Sequence, residues 1–150
     1  MSITVRKAVK DDVDFLLSQL DVFSDFYGTK KKLFPNEEYA REKLEGLIEG
    51  QVVFVAEKQD VGSIGFIAGI SFNHPFNPDI RVLSETFWWV QEEYRNSRAG
   101  LMLLNEFTEL GKMSADWVTI AIEEKSPIND RVLLKRGYKA TEKNFLLEVS

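Results

Sequence analysis

The stretch Glu92-Glu93-Tyr94-Arg95-Asn96-Ser97-Arg98-Ala99-Gly100-Leu101-Met102-Leu103-Leu104 decides how this sequence folds. It follows a strongly apolar, strand-like run, Thr86-Phe87-Trp88-Trp89-Val90, and opens a helix-like one from Leu101 to Met113. A strand, a short turn of small and basic residues and a helix N-terminus together make a seat for an anion. The first amides of a helix lack intrahelical partners, and the helix dipole adds partial positive charge at that end. Arg95 and Arg98 bracket the turn, and Gly100 lets backbone approach a ligand closely. The plainer alternative is a β–α connection with two solvated arginines. The segment alone does not choose between them.

Working outward, Ile3 to Ala8 alternates as a strand, and a helix begins near Asp11, where Asp11, Asp12 and Asp14 suit the positive end of its dipole. Val13, Leu16, Leu17, Leu20 and Phe23 give that helix its apolar face, with Gly28 beyond its end. Asn36 is placed to cap a second helix that Gly50 closes. Gln51 to Glu57 and Gly62 to Phe72 predict two strands joined by a tight turn near Gln59-Asp60. Gly65 and Gly69 interrupt the second, where something must pack closely. Asn73 to Asp79 predicts a loop, Arg81 to Gln91 a strand and Ala99 to Met113 a helix. Trp117 to Ile122 predicts a short buried strand. Ser126-Pro127 starts a last helix that Gly137 ends, and Tyr138 to Val149 returns to strand. The alternation of strands and helices in the second half implies a parallel pair within a mixed sheet.

Composition narrows the function classes. The 150 residues suit one domain spanning 1–150, with 44% hydrophobic and 29% charged residues, as in an ordinary globule. Without cysteine there is neither a disulfide scaffold nor a thiolate nucleophile, and a single histidine argues against a histidine-based metal site. A net charge of −5 argues against a general nucleic-acid binder. With no signal-type stretch and no run near the ~20 apolar residues of a membrane span, the chain reads as cytoplasmic, with no membrane partner. A nucleotide-binding reading of the central turn lacks a Walker lysine and a Rossmann glycine set.

The spacing Arg95-x-x-Arg98-x-Gly100 after Val90-Gln91-Glu92-Glu93-Tyr94 resembles the acetyl-CoA pyrophosphate signature of the GNAT superfamily of N-acetyltransferases. That signature reads Gln/Arg-x-x-Gly-x-Gly/Ala; here Arg98 stands where the first Gly is usual, and Glu92 where Pro is common. Val5-Arg6-Lys7-Ala8, with Asp11-Asp12 and Phe15-Leu16, resembles the family's opening strand and helix. Lys135-Arg136-Gly137-Tyr138 resembles its Gly-Phe/Tyr strand start. The wording Tyr94-Arg95-Asn96-Ser97-x-Ala99-Gly100 is also similar to compact members from bacteriophages and prophages.

The resemblance implies the acyl-CoA N-acyltransferase fold, a central mixed α/β sheet flanked by about four helices. It implies acetyl-CoA as co-substrate, no metal, and direct acetyl transfer in a ternary complex. Arg95, Asn96, Ser97, Arg98, Ala99 and Gly100 would hold the pyrophosphate. The backbone of Val90 would meet the pantetheine amides, and the N–H of Trp88 would point at the thioester oxygen. Three aromatics in a row, Phe87-Trp88-Trp89, break the two-residue period and fit a bulge in that strand, although a fully buried strand also explains them.

Transfer needs a neutral amine, and a lysine-like amine with pKa ≈ 10.4 is neutral in only about one molecule per few thousand at pH 7. A carboxylate tuned toward neutrality is the usual remedy. Glu85, two residues before Phe87 in an apolar stretch, is the first candidate base; Glu123, ahead of Glu124 at the end of the fifth strand, is the second. The family often carries an acidic Tyr four residues before the Gly of its strand start, and here that position is Leu133. Leu133 and Arg98 keep an alternative open: a weakly active or inactive GNAT-fold module that acts by contacting a host protein. Many members of the family carry a long loop that walls the acceptor site; Lys139 to Asn144 leaves room here for a small turn at most, so the resemblance implies an open acceptor groove, suited to a protein lysine or N-terminus as well as to a small amine. Monomer and homodimer are both compatible with the sequence.

Overall fold

The computed structural model describes residues 2–150. Among them, five strands form one mixed sheet in the order β1-β2-β3-β4-β5. The strands are β1 (Ile3–Lys7), β2 (Val52–Lys58), β3 (Gly62–His74), β4 (Asn77–Val90) and β5 (Trp117–Thr119). β1 to β4 pair antiparallel, and β5 joins β4 in parallel, as the alternation of elements implies. Helices α1 (Val13–Tyr27) and α2 (Glu37–Gly50) lie between β1 and β2, α3 (Ala99–Ser114) between β4 and β5, and the short α4 (Arg131–Leu134) after β5.

Strand alternation sends side chains to two cores. On one face Phe66, Ala68 and Trp89 pack with Leu16 and Leu20 of α1 and Leu44 of α2. On the other, Ile64, Ile67, Leu83 and Val90 pack with Leu103 and Phe107 of α3. Helix ends follow their sequence signals. The Asn36 side chain accepts the Tyr39 amide at 3.0 Å, and Gly28 ends α1 at φ +77°. At the start of α1, Arg6 donates to both oxygens of buried Asp12 at 2.8 Å, and Asp12 also accepts the Val9 amide at 2.7 Å. The two interrupting glycines are packing sites: a Cβ on Gly69 would come within 2.6 Å of the Phe107 ring, and one on Gly65 within 2.8 Å of the Trp89 carbonyl.

The bulge lies one residue earlier than the aromatic run suggests. Ala68 pairs with Phe87 but Gly69 with Glu85, so Thr86 is the extra residue, and its hydroxyl donates to the Ala68 carbonyl at 3.1 Å. Phe87-Trp88-Trp89 keeps its alternation: Phe87 and Trp89 face α1 and α2, while Trp88 faces α3. Three aromatics in a row mean a strand covered on both faces.

Four expectations are corrected. The predicted loop at 73–79 shrinks to Pro75-Phe76, because β3 runs on to His74 and β4 starts at Asn77. The strand expected over 117–122 stops at Thr119 and is an edge, with Trp117 46% exposed. The helix expected from Ser126 is delayed to Arg131, because Ser126 and Asn129 side chains accept the Ile128 and Arg131 amides and hold local turns. No strand forms over 138–149. The alternation there is real, but among the described residues no backbone hydrogen bond ties 139–150 to a neighbour, and a period of two makes a strand only where a ladder receives it.

Candidate functional site

The sheet opens where β4 and β5 part. They are paired only from Val82–Trp117 to Ser84–Thr119, so β4 continues through Glu85 to Val90 with no β5 opposite. At the base of this fork the Glu85 carboxylate accepts the Ala121 amide at 2.9 Å and bridges the two diverging chains. Burial pushes the Glu85 carboxyl from an ordinary 4.5 up to about 7, and the Ala121 hydrogen bond opposes the rise. Glu123 lies three residues beyond this fork at Thr119–Ile120. Partial burial raises its carboxyl too, Lys125 counters this, and Glu124 adds a smaller upward push. The carboxyl nearest the parting strands is therefore also the one held closest to neutrality.

The upper end of β4 runs into the turn before α3. Ser97 organises it: its hydroxyl bonds the Tyr94 carbonyl at 2.5 Å and accepts the Ala99 amide at 3.2 Å. Met102 donates to the Arg98 carbonyl at 3.0 Å, the first bond of the helix. Among the described residues the amides of Gly100 and Leu101 meet no acceptor, and the first turn of α3 carries no acidic side chain. A helix start so arranged has the polarity that a phosphate needs. Ala99 is buried, and the Trp88 indole donates to the Gly100 carbonyl at 3.2 Å, fastening β4 to the helix start. A Cβ on Gly100 would meet only Val90 and the Trp88 indole, at 3.7 and 4.0 Å, so the fold itself does not require glycine there.

The two arginines have different surroundings. Arg95 folds back: its Nε donates to the Val90 carbonyl at 2.9 Å, and its guanidinium lies 4.5 Å over the Trp89 ring. A ligand amide reaching the Val90 carbonyl would share it with Arg95. Arg98, at the helix cap, is exposed and makes no side-chain hydrogen bond among the described residues, as does neighbouring Asn96. The turn thus holds one arginine that braces the strand end and one that is free to meet a ligand.

Three further features contribute no residue to the fork. His74 accepts the Phe76 amide at 3.2 Å and sits edge-on to Trp117 at the far hairpin end. The Tyr138 hydroxyl pairs with that of Thr108 on α3 at 2.7 Å. A hollow of about 490 Å³ between α1, α2 and their connection is lined by none of the predicted site residues, and Arg41 at its rim is already paired with Asp14 and Glu37. Sequence reading missed the partner of Glu85. A backbone amide 36 positions away leaves no sequence signal. Among the described residues no group of metal-binding side chains occurs, and no helix is long and apolar enough to cross a membrane.

No protein-family model and no curated protein matches this sequence. Solved structures match it along its length. A predicted acetyltransferase from Clostridium acetobutylicum, solved with acetyl-CoA, is 18% identical with a TM-score of 0.72, covering 99% of this chain and 97% of its own. A ribosomal-protein-alanine N-acetyltransferase from Brucella melitensis is 14% identical with a TM-score of 0.75, covering 100% and 99%. A GNAT family acetyltransferase from Staphylococcus aureus is 17% identical with a TM-score of 0.68, covering 99% and 100%. The chain has the GNAT acetyltransferase fold.

Proposed function

We propose that this protein is an acetyl-CoA-dependent N-acetyltransferase that moves an acetyl group directly to a primary amine in a ternary complex. The observation that carries the reading is the fork between β4 and β5, with a nearly neutral carboxyl at its base and a polarised helix start at its upper end. That fold neighbours include named acetyltransferases, one solved with acetyl-CoA, supports the same choice of co-substrate.

In this reading the free amides of Gly100 and Leu101 and the Arg98 side chain receive the pyrophosphate, and the turn 95–100 stays small enough for it to approach. Pantetheine runs down the open side of β4 past Val90, and the Trp88 N–H faces the thioester oxygen, where it stabilises developing negative charge. Glu85 takes a proton from the ammonium, directly or through water, and the freed lone pair attacks the thioester carbon. The C–N bond forms, the C–S bond breaks with its electron pair leaving on sulfur, and the nitrogen gives up its second proton to solvent to become the neutral amide. Glu123 is the second candidate base. Leu133 offers no acid to the departing thiolate, so solvent protonates it. A thiol near pKa 8.5, as in free cysteine, leaves far more readily than an alcohol, so the step slows without stopping. The acceptor in this reading is a primary amine, a protein lysine or N-terminus or a small amine.

A second reading has one specific observation behind it: Leu133 in place of an acid. The fold would then bind acetyl-CoA and act by contacting a protein. Purified protein incubated with acetyl-CoA and cell lysate, read by mass spectrometry, separates the two. New acetyl-lysine or acetylated N-termini above a protein-free control support the enzyme. Binding of acetyl-CoA with no transfer to amines, peptides or lysate proteins, even in Leu133→Tyr, rejects it in favour of the binding module.

A further inference from the structure

Helix α1 meets the upper end of β4 through a buried polar side chain. Gln19 is only 7% exposed, and its amide oxygen accepts the indole N–H of Trp89 at 3.1 Å. A buried glutamine is costly unless it is hydrogen-bonded, so this contact fixes both partners. Phe23 and Phe26, four and seven residues further along α1, pack edge-on to the same indole with ring centroids 5.6 and 5.4 Å away. Three residues on one face of α1 therefore hold Trp89 in place and in orientation.

The face of that indole carries Arg95. The guanidinium lies 4.5 Å over the ring, and its Nε donates to the Val90 carbonyl at 2.9 Å. The direction of this carbonyl follows from the sheet. The Gln91 amide, in the same peptide unit, donates to the Ile64 carbonyl on β3 at 2.9 Å. In a planar trans peptide the two groups point opposite ways, so the Val90 carbonyl points to the side of β4 that has no β5 opposite. No ladder steadies the strand on that side, and Arg95 braces its last carbonyl.

We propose that Gln19 is a positioning residue for acetyl-CoA: through Trp89 it fixes Arg95, and through Arg95 the Val90 carbonyl that pantetheine meets in the fork. This role rests on the proposed function, because it requires pantetheine to run along this side of β4. A long arginine side chain at the end of a strand samples many rotamers when nothing holds it. Stacked on a fixed indole, Arg95 already has the conformation that braces the carbonyl when the ligand arrives, and less freedom is lost on binding. Gln19 itself acts only through the indole.

A double-mutant cycle tests the relay. Calorimetric titration gives the acetyl-CoA dissociation constants of wild type, Gln19→Met, Arg95→Met and the double variant, with unfolding midpoints measured alongside. Methionine keeps the length of glutamine but offers the indole only a weak acceptor. Gln19→Met is expected to weaken binding about tenfold, the scale of a desolvated cation–π contact, and Arg95→Met about as much. The double variant is expected to lose no more than Arg95→Met alone. Gln19→Glu, which keeps an acceptor oxygen at the same reach, is expected to retain wild-type affinity. A purely structural glutamine would lower the unfolding midpoint and show no such coupling. Unchanged affinity in Gln19→Met overturns the proposal, and so does an equal loss from Gln19→Met in both backgrounds. Binding lost outright in Arg95→Met also overturns it, by placing that arginine on the coenzyme rather than on Val90. If Gln19→Met does not fold, Trp89→Phe, which deletes the indole donor and keeps a ring against Phe23 and Phe26, takes its place in the same cycle. Wild type that binds no acetyl-CoA overturns the proposed function and this role together, whereas saturable wild-type binding without the coupling overturns this role alone.

Discussion

Glu85 is the residue on which chemistry and folding meet. Its carboxyl, raised from 4.5 to about 7 by burial, is half deprotonated near neutrality, which is where a general base works best. Glu85→Gln is expected to lower turnover by about 10²–10⁴-fold and to remove the ascending limb of the pH–rate profile, with acetyl-CoA affinity nearly unchanged. Initial rates from pH 5.5 to 9 measure this. Unchanged rates would remove the carboxylate from the mechanism, and the same experiment on Glu123→Gln decides between the two candidates. The raised pKa also has a folding consequence. Between about pH 4.5 and 7 the native state holds a proton that the unfolded chain releases, so this group's contribution to stability falls as pH rises, by up to ~1.4 kcal/mol per pH unit. Denaturant unfolding at pH 5 and pH 7 should show a smaller loss in Glu85→Gln than in wild type. Arg98 belongs to the same scale. Exposed and free of side-chain partners, it should matter to the ligand alone: Arg98→Ala is expected to weaken acetyl-CoA binding and its salt dependence without changing the unfolding midpoint.

At the scale of elements, the sheet is held to α3 by close approaches that only glycine permits. A Cβ at Gly69 would meet the Phe107 ring at 2.6 Å, and one at Gly111 would run into the Val118 side chain. Gly69→Ala is expected to cost about 1–3 kcal/mol through overpacking, read as a lower denaturant midpoint with an unchanged slope. A midpoint equal to wild type would mean that α3 shifts freely on the sheet. These elements also show what the sequence could reveal. The strand–turn–helix around Arg95–Gly100, the Asn36 cap, the Gly28 end and the parallel β4–β5 pair were legible because each rests on local chemistry or a clear period. Glu85 was legible as a charge in an apolar run, but its partner, the Ala121 amide, was not, because the contact exists only once β4 and β5 part. The roles of Arg95 and Trp88 were hidden for the same reason: their bonds to Val90 and Gly100 are set by how the turn closes. The tail from Tyr138 to Val149 misled because alternation specifies a face but not a neighbour.

The whole molecule joins a fold shared with acetyltransferases to a fork that holds a nearly neutral carboxyl and a polarised helix start. The proposed function requires that the turn 95–100 seat the pyrophosphate of acetyl-CoA. Gly100 isolates that claim, because the protein leaves room for a side chain there and the first turn of a helix tolerates Asp well. Calorimetric titration of acetyl-CoA into wild type and Gly100→Asp, with unfolding midpoints measured alongside, tests it most directly. Saturable binding to wild type, no detectable binding to the variant, and equal or higher stability for the variant are expected. Equal affinity in two equally stable proteins would contradict it and place the ligand somewhere other than this turn.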